Sequence, residues 1–169
     1  KHGWTDVYPS NEQLRAQVDW YLHFHHRTIR NASIGMVAPK IRKDLDIPEV
    51  IQTSARADLT SALKTLEQGW LSKRQFLAGD DVTLADLAAY VELGQMQPRF
   101  TNVYDFSPFP NIERWLDDMA NMEGHDDVHV VLEELGDISV EAPSMEMIRN
   151  ANKRAVQVLQ QKVEQFGKA

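Results

Sequence analysis

Residues 76–90, FLAGDDVTLADLAAY, decide the fold. Thr83 stands where an N-cap would: its hydroxyl can accept from the backbone N–H of Asp86, and the Asp86 carboxylate can accept from the N–H of Thr83. Val82 just before the cap and Leu87 four positions after it have the spacing of a hydrophobic staple, which sets the angle of entry into the helix. Asp86 also offsets the positive end of the helix dipole. Beyond the cap, Leu84, Leu87, Ala88, Tyr90 and Val91 leave few polar positions before Glu92, so a helix buried on most sides is expected. A buried helix start cannot rely on water for its orphan N–H groups. The Thr83–Asp86 capping box is therefore expected to be worth up to about 2 kcal/mol and to serve folding alone.

The segments around it read as helices too. Residues 1–9 look like an interdomain linker, punctuated by Gly3 and Pro9, with something preceding them. Ser10 and Gln13 form a second capping box, opening a long helix through Leu14, Val18, Tyr21, Leu22, His25 and Ile29 toward Ala38, where Pro39 should kink or end it. Pro48 suits the first turn of the next helix, whose stripe is Leu59, Leu63, Leu66 and Trp70, with Val50 and Ile51 ahead of it. Past the central helix, residues 99–110 are irregular. Ile112, Trp115, Leu116 and Met119 then share a helical face, and Val128 to Leu135 make a short helix stopped by Gly136. Residues 137–143 read as a second linker. Residues 144–166 read as a last amphipathic helix on Met147, Ile148, Ala151, Ala155, Val158 and Leu159. The one β-like run, VHVVL, is short, so the expected architecture is all-α, a bundle of about six helices. The domain proper is 10–136, and 137–169 is a C-terminal extension packed on it.

The composition narrows the function. A chain of 169 residues with 43% hydrophobic side chains can build one sizeable core. No apolar run is long enough to span a membrane, and if Lys1 is the true start, the lack of a targeting segment there leads to the expectation of a cytoplasmic protein. With no cysteine, disulfides, Cys-based metal sites and Cys nucleophiles are excluded, and a net charge of -7 argues against a broad nucleic-acid surface.

Few residues offer chemistry. His23, His25 and His26 crowd one turn, but positions i, i+2 and i+3 cannot converge on one ion from a regular helix. His125 and His129 have the i, i+4 spacing of helical metal ligands without a third ligand, and Asp126 and Asp127 read as a solvated helix start. No metal site is expected. Arg27 and Arg30, one turn apart, are the best anion-recognition feature, although surface salt bridging remains the default alternative. Ser33 and Ser107 have no base, and no glycine-rich phosphate loop exists.

Three motifs in order resemble the C-terminal helical domain of the glutathione transferases, the theta class in particular. FLAGDDVTLADL resembles that family's capping element. DVYPSNEQLRAQVDWYLHFHH is similar to the linker and first long helix of theta members, and FPNIERWLDDM to a later helix. The resemblance covers about the whole chain, with residues 137–159 similar to the extra C-terminal segment of theta enzymes. It implies a chain that, in the full-length enzyme, follows a thioredoxin-like N-terminal domain binding glutathione as co-substrate and supplying the thiol-activating Ser, Tyr or Cys. This half would then hold no catalytic residue, form one wall of the pocket for a hydrophobic electrophile and part of a homodimer contact, and be inactive alone. Arg30 matches the theta Arg that points into the active site and helps hold an anionic substrate group. At Arg27 some theta members carry an Asp that reaches the neighbouring subunit's glutathione, and at Ala38 an aromatic that lines the pocket. His26, Asn31 and Met36 would flank that wall. The two departures suit an alternative reading, a non-catalytic interaction module in a larger assembly.

Overall fold

α1 (Glu12–His25) opens a chain whose regular structure, over the described residues 4–166 of a computed structural model, is entirely helical. Of the expected linker and extension, residues 1–3 and 167–169 lie outside the described residues. The cap of α1 is Asn11 rather than Ser10. Its carboxamide oxygen accepts from the N–H groups of Gln13 at 3.0 Å and Leu14 at 3.1 Å, one residue closer to the helix than the Ser10 hydroxyl.

The expected run to Ala38 is interrupted. The Thr28 hydroxyl donates to the Phe24 carbonyl at 2.8 Å, and the N–H groups of Arg27 and Thr28 turn back three residues instead of four. Helix resumes as α2 (Arg30–Ala32), passes through a π-turn (Ser33–Val37) and ends as α3 (Ala38–Ile41). In that turn Ala38 N–H bonds to Ser33 O, five residues back. Pro39 thus falls in the first turn of a fresh helical segment, where its missing N–H costs little, and the chain runs past it. Gly35, inside the π-turn, lies against α4 (Glu49–Thr65): a Cβ there would be 2.2 Å from Ala55 Cβ.

Pro48 is the residue before α4, which continues into a second π-turn (Leu66–Trp70). The stripe Leu59, Leu63, Leu66 and Trp70 is buried as its spacing predicts, while Val50 and Ile51 stay exposed. The π-turn carries Glu67 to the start of α6 (Pro110–Ala120), where its carboxylate accepts from the N–H groups of Asn111 and Ile112 at 3.0 Å each. An anion is thereby fixed at the positive end of that helix.

α5 (Leu84–Leu93), prolonged by a short turn (Gly94–Met96), is the central helix. Its capping box forms. Asp86 Oδ2 accepts from Thr83 N at 2.9 Å and from the Thr83 hydroxyl at 2.8 Å, while Oδ1 accepts from Leu77 N at 2.8 Å and from the Trp115 indole at 3.0 Å. Turning Asp86 inward to these donors rotates the helix. Ala85, Ala89, Tyr90 and Leu93 face the core, and Leu84, Leu87 and Val91 face out, so one side of α5 is open where burial on most sides was expected.

Gly124 (φ 79°) and Gly136 (φ 60°) bracket α7 (His125–Leu135), both in left-handed conformations that suit glycine. The 137–143 segment is anchored at its start, with Ile138 buried and its N–H donating to Thr101 O at 3.1 Å. α8 (Met145–Phe166) lies along α7, turning Ala151 fully inward and Ile148, Ala155 and Val158 partly so, with Met147 and Leu159 left exposed. Ion pairs from Lys162 to Asp127, at 2.8 Å, and from Arg154 to Glu134 hold it there.

Candidate functional site

The turn between α1 and α2 forms a cationic ledge. Arg27 sits on the turn and Arg30 opens α2, both exposed, and among the described residues neither is in an ion pair. The salt-bridge alternative is therefore not what the geometry shows. The Arg30 guanidinium donates to His26 Nδ1 at 3.3 Å, which makes that nitrogen the unprotonated one. Desolvation, with the neighbouring His25, Arg30 and His23 charges adding to it, lowers the His26 pKa from the ordinary imidazole value.

Behind the ledge the polarity reverses. His26 lies on His25 with ring centroids 4.3 Å apart, and His25 Nδ1 meets Glu92 of α5 at 3.0 Å in a half-buried pair. Burial pushes the Glu92 carboxyl above its ordinary value, against the pull of His25 and Arg30. Tyr21 stacks on His25, nearly parallel at 5.6 Å. The ledge is thus backed by a run of aromatic contacts, Tyr21 stacked on His25 and His26 tilted against His25, that ends on Arg30.

The remaining expected site residues separate. Asn31 is exposed beside Arg30 and Ala38 is half-buried at the start of α3, whereas Met36 packs in the core and presents no side chain to the surface. Two exposed guanidiniums near a neutral imidazole can clamp a carboxylate, sulfonate or phosphate by charge-assisted hydrogen bonds. Among the described residues no hydroxyl nucleophile with a paired base accompanies them. Among the described residues no three His, Asp or Glu side chains group to hold a metal ion, and no helix is long and apolar enough to cross a membrane.

A second polar cluster was illegible in the sequence beyond its i, i+4 spacing. His125 is buried at the start of α7, its Nδ1 meeting Asp126 at 2.7 Å and its Nε2 the Tyr90 hydroxyl at 2.8 Å. That bond holds the Asp126 carboxyl below the usual carboxylate range. Asp126 is thus a partner of His125 and not merely a solvated helix start. The left-handed glycine just before His125 marks a helix start, and only the fold supplies Tyr90.

The fold is thus an all-helical bundle with two exposed guanidiniums at the turn between its first two helices. Residues 13–123 match the family model described as glutathione S-transferase, C-terminal domain, and the chain belongs to that family. It is 36% identical over 113 residues to glutathione S-transferase theta-1 of Gallus gallus, covering 64% of this chain and 42% of that protein. To glutathione S-transferase theta-2B of Homo sapiens it is 33% identical over 151 residues, covering 82% of this chain and 60% of that protein. The chain therefore spans about half the length of these curated relatives. The fold agrees with human glutathione S-transferase T1-1 in its apo form, with a TM-score of 0.66 at 22% identity over 91% of this chain and 66% of that one. It also agrees with human glutathione transferase theta-2, solved in complex with glutathione and an unknown ligand, with a TM-score of 0.62 at 27% identity over 91% of this chain and 67% of that one.

Proposed function

We propose that this chain is the electrophile-binding C-terminal half of a theta-like glutathione transferase, acting in the cytoplasm. Joined to a thioredoxin-like N-terminal domain that activates the thiol of reduced glutathione, it orients a hydrophobic electrophile for attack by the thiolate sulfur. The observation that carries this reading is the Arg30–His26 ledge: an unpaired guanidinium held in place by a neutral imidazole at the position the theta resemblance assigns to substrate binding. Arg30 holds an anionic group of the substrate, Arg27 adds a second cation, His26 positions Arg30, and the small Ala38 leaves the wall open. Met36 supports the wall from the core.

The N-terminal segment supports the placement of the partner domain. Val7 O accepts from Leu84 N at 2.7 Å, and the Tyr8 hydroxyl donates to Asp19 at 2.8 Å, so the chain enters across the start of α5 and the middle of α1. A domain tethered ahead of residue 4 would begin there. Homodimerisation belongs to the same reading.

Fusing the chain behind a theta-type N-terminal half tests it. The fusion should conjugate glutathione to a benzyl halide, followed by loss of free thiol, and the chain alone should not. Conjugation by the chain alone, or none by a folded fusion, would overturn the proposal. The second outcome would favour a non-catalytic interaction module, the reading that Arg27 and Ala38 also suit.

A further inference from the structure

A cavity of about 660 Å³ lies between α5, α6, α7 and the end of α8, within the range of small-molecule sites. Leu87, Val91, Met119, Met122, Val128 and Leu132 give it apolar walls. Its polar complement is one-sided. The Tyr90 hydroxyl is spent on His125 Nε2, and His125 Nδ1 on Asp126. The Gln95 amide donates to Ser33 Oγ, Val91 O and Glu92 O.

His129 supplies the opposite chemistry. Its Nδ1 is 2.6 Å from His125 O, a carbonyl that can only accept, so Nδ1 carries the proton and Nε2 the lone pair. The ring is fixed by stacking on Phe100 at 5.5 Å and on His125 at 4.2 Å. Burial holds its pKa below the ordinary imidazole value, which keeps Nε2 an acceptor. Among the described residues, His129 Nε2 and Gln95 Oε1 have no hydrogen-bond partner, and Glu123 adds a carboxylate at the rim. Among the described residues the side-chain donors on the lining are used, while these acceptors are open.

We infer that this cavity is a ligand site for apolar aromatic molecules that donate a hydrogen bond, with His129 Nε2 as the acceptor, and that it excludes anions. Its lining shares no residue with the cationic ledge and is opposite to it in sign, and its test uses no glutathione, so either reading can fail without the other.

The probes are indole, which donates one N–H, its donor-free isostere benzothiophene, and the anion indole carboxylate, titrated into ¹⁵N-labelled chain by NMR. Indole should bind about fivefold more tightly than benzothiophene, the worth of one hydrogen bond, and should shift the His129 Nε2 resonance, while the carboxylate binds more weakly than either. His129→Phe should make indole and benzothiophene equal. Val91→Trp, at a position 68% exposed and so safe for folding, should fill the cavity and abolish binding of both. Equal affinities in the wild type, no binding of either probe, tightest binding of the anion, an unmoved His129 resonance, or indole binding undiminished in Val91→Trp each overturns the inference. Discrimination that survives in a folded His129→Phe variant does so as well.

Discussion

The Asp86 carboxylate and the Trp115 indole are joined by a 3.0 Å hydrogen bond inside the core, tying the first turn of α5 to the middle of α6. Both side chains are fully buried. Since all four partners of this carboxylate are donors, Asp86→Asn turns an NH₂ group toward donors and cannot satisfy them. The variant is expected to lose about 3 kcal/mol or more, and Trp115→Phe about 1–3 kcal/mol, in urea denaturation. A loss below about 1 kcal/mol for Asp86→Asn would show that the network is not what holds these helices together.

Gly35 and Ala55 set the closest approach between the broken second helix and α4. A Cβ at Gly35 would lie 2.2 Å from Ala55 Cβ and 3.0 Å from Ile51 O, so the backbones must separate to admit it. Gly35→Ala should therefore cost about 2–3 kcal/mol, despite alanine's better helix propensity. Adding Ala55→Gly removes the shorter of the two clashes and should recover part of that loss, while Ala55→Gly alone destabilises. Simple additivity in the double-mutant cycle would rule out direct contact as the cause.

The cap of α6 is assembled from a distance, and its removal is a third check. Glu67 reaches it from the π-turn after α4, accepting from Asn111 N, Ile112 N and, at 2.7 Å, Asn111 Nδ2. Glu67→Ala leaves two helix-start N–H groups without this partner and should lower stability by about 1–2 kcal/mol in chemical denaturation. Glu67→Gln keeps the acceptor oxygen but loses the charge at the helix dipole, and should cost roughly half as much.

Local signals foretold more of the fold than of the polar clusters. Thr83 and Asp86, the Leu59–Trp70 stripe and the Ile112–Met119 face are features of short sequence separation, and each forms in place. What misled was also local. Apolar Leu84, Leu87 and Val91 suggested a buried face, yet the four donors gathered by Asp86 from distant segments set the rotation of α5. The break after His25 shows in the N–H groups of Arg27 and Thr28 turning back three residues, and the Thr28 hydroxyl bond to Phe24 O does not foretell it, since the same bond from Thr60 to Arg56 O leaves α4 unbroken. On the ledge, Arg27, Arg30 and His26 were legible because one turn brings them together. Glu92 joins from 67 positions beyond His25, and Tyr90 reaches His125 across 35, separations that no helical period encodes.

Arg30 and Arg27 are separable by their neighbours. Both are exposed, so alanine at either position should change stability by less than about 0.5 kcal/mol. For an aromatic sulfonate, followed by NMR titration, Arg30→Ala should weaken binding about tenfold or more, because His26 positions this guanidinium. Arg27→Ala, whose side chain has no such support, should weaken it only a few-fold and mainly at low salt. Equal effects of the two substitutions would remove any special role for the Arg30–His26 pair.

His129 makes acid stability readable at one residue. Its pKa is lowered chiefly by desolvation, and the hydrogen bond to His125 O opposes that shift without cancelling it. A group depressed in the folded state binds its proton more readily when unfolded, so the unfolded chain carries the excess protons as the pH falls. The stability due to neutral His129 is thus complete above the ordinary value of 6.5 and is lost as the pH drops through the lower folded value. His129→Phe, which keeps an aromatic ring against Phe100 and Tyr90, should flatten that part of a plot of melting temperature against pH. Above pH 6.5 it should show only the constant cost of losing the bond to His125 O. If the wild type and the variant lose stability in parallel as the pH falls below 6.5, the proton is taken up elsewhere and the neutral-acceptor assignment for Nε2 fails with it.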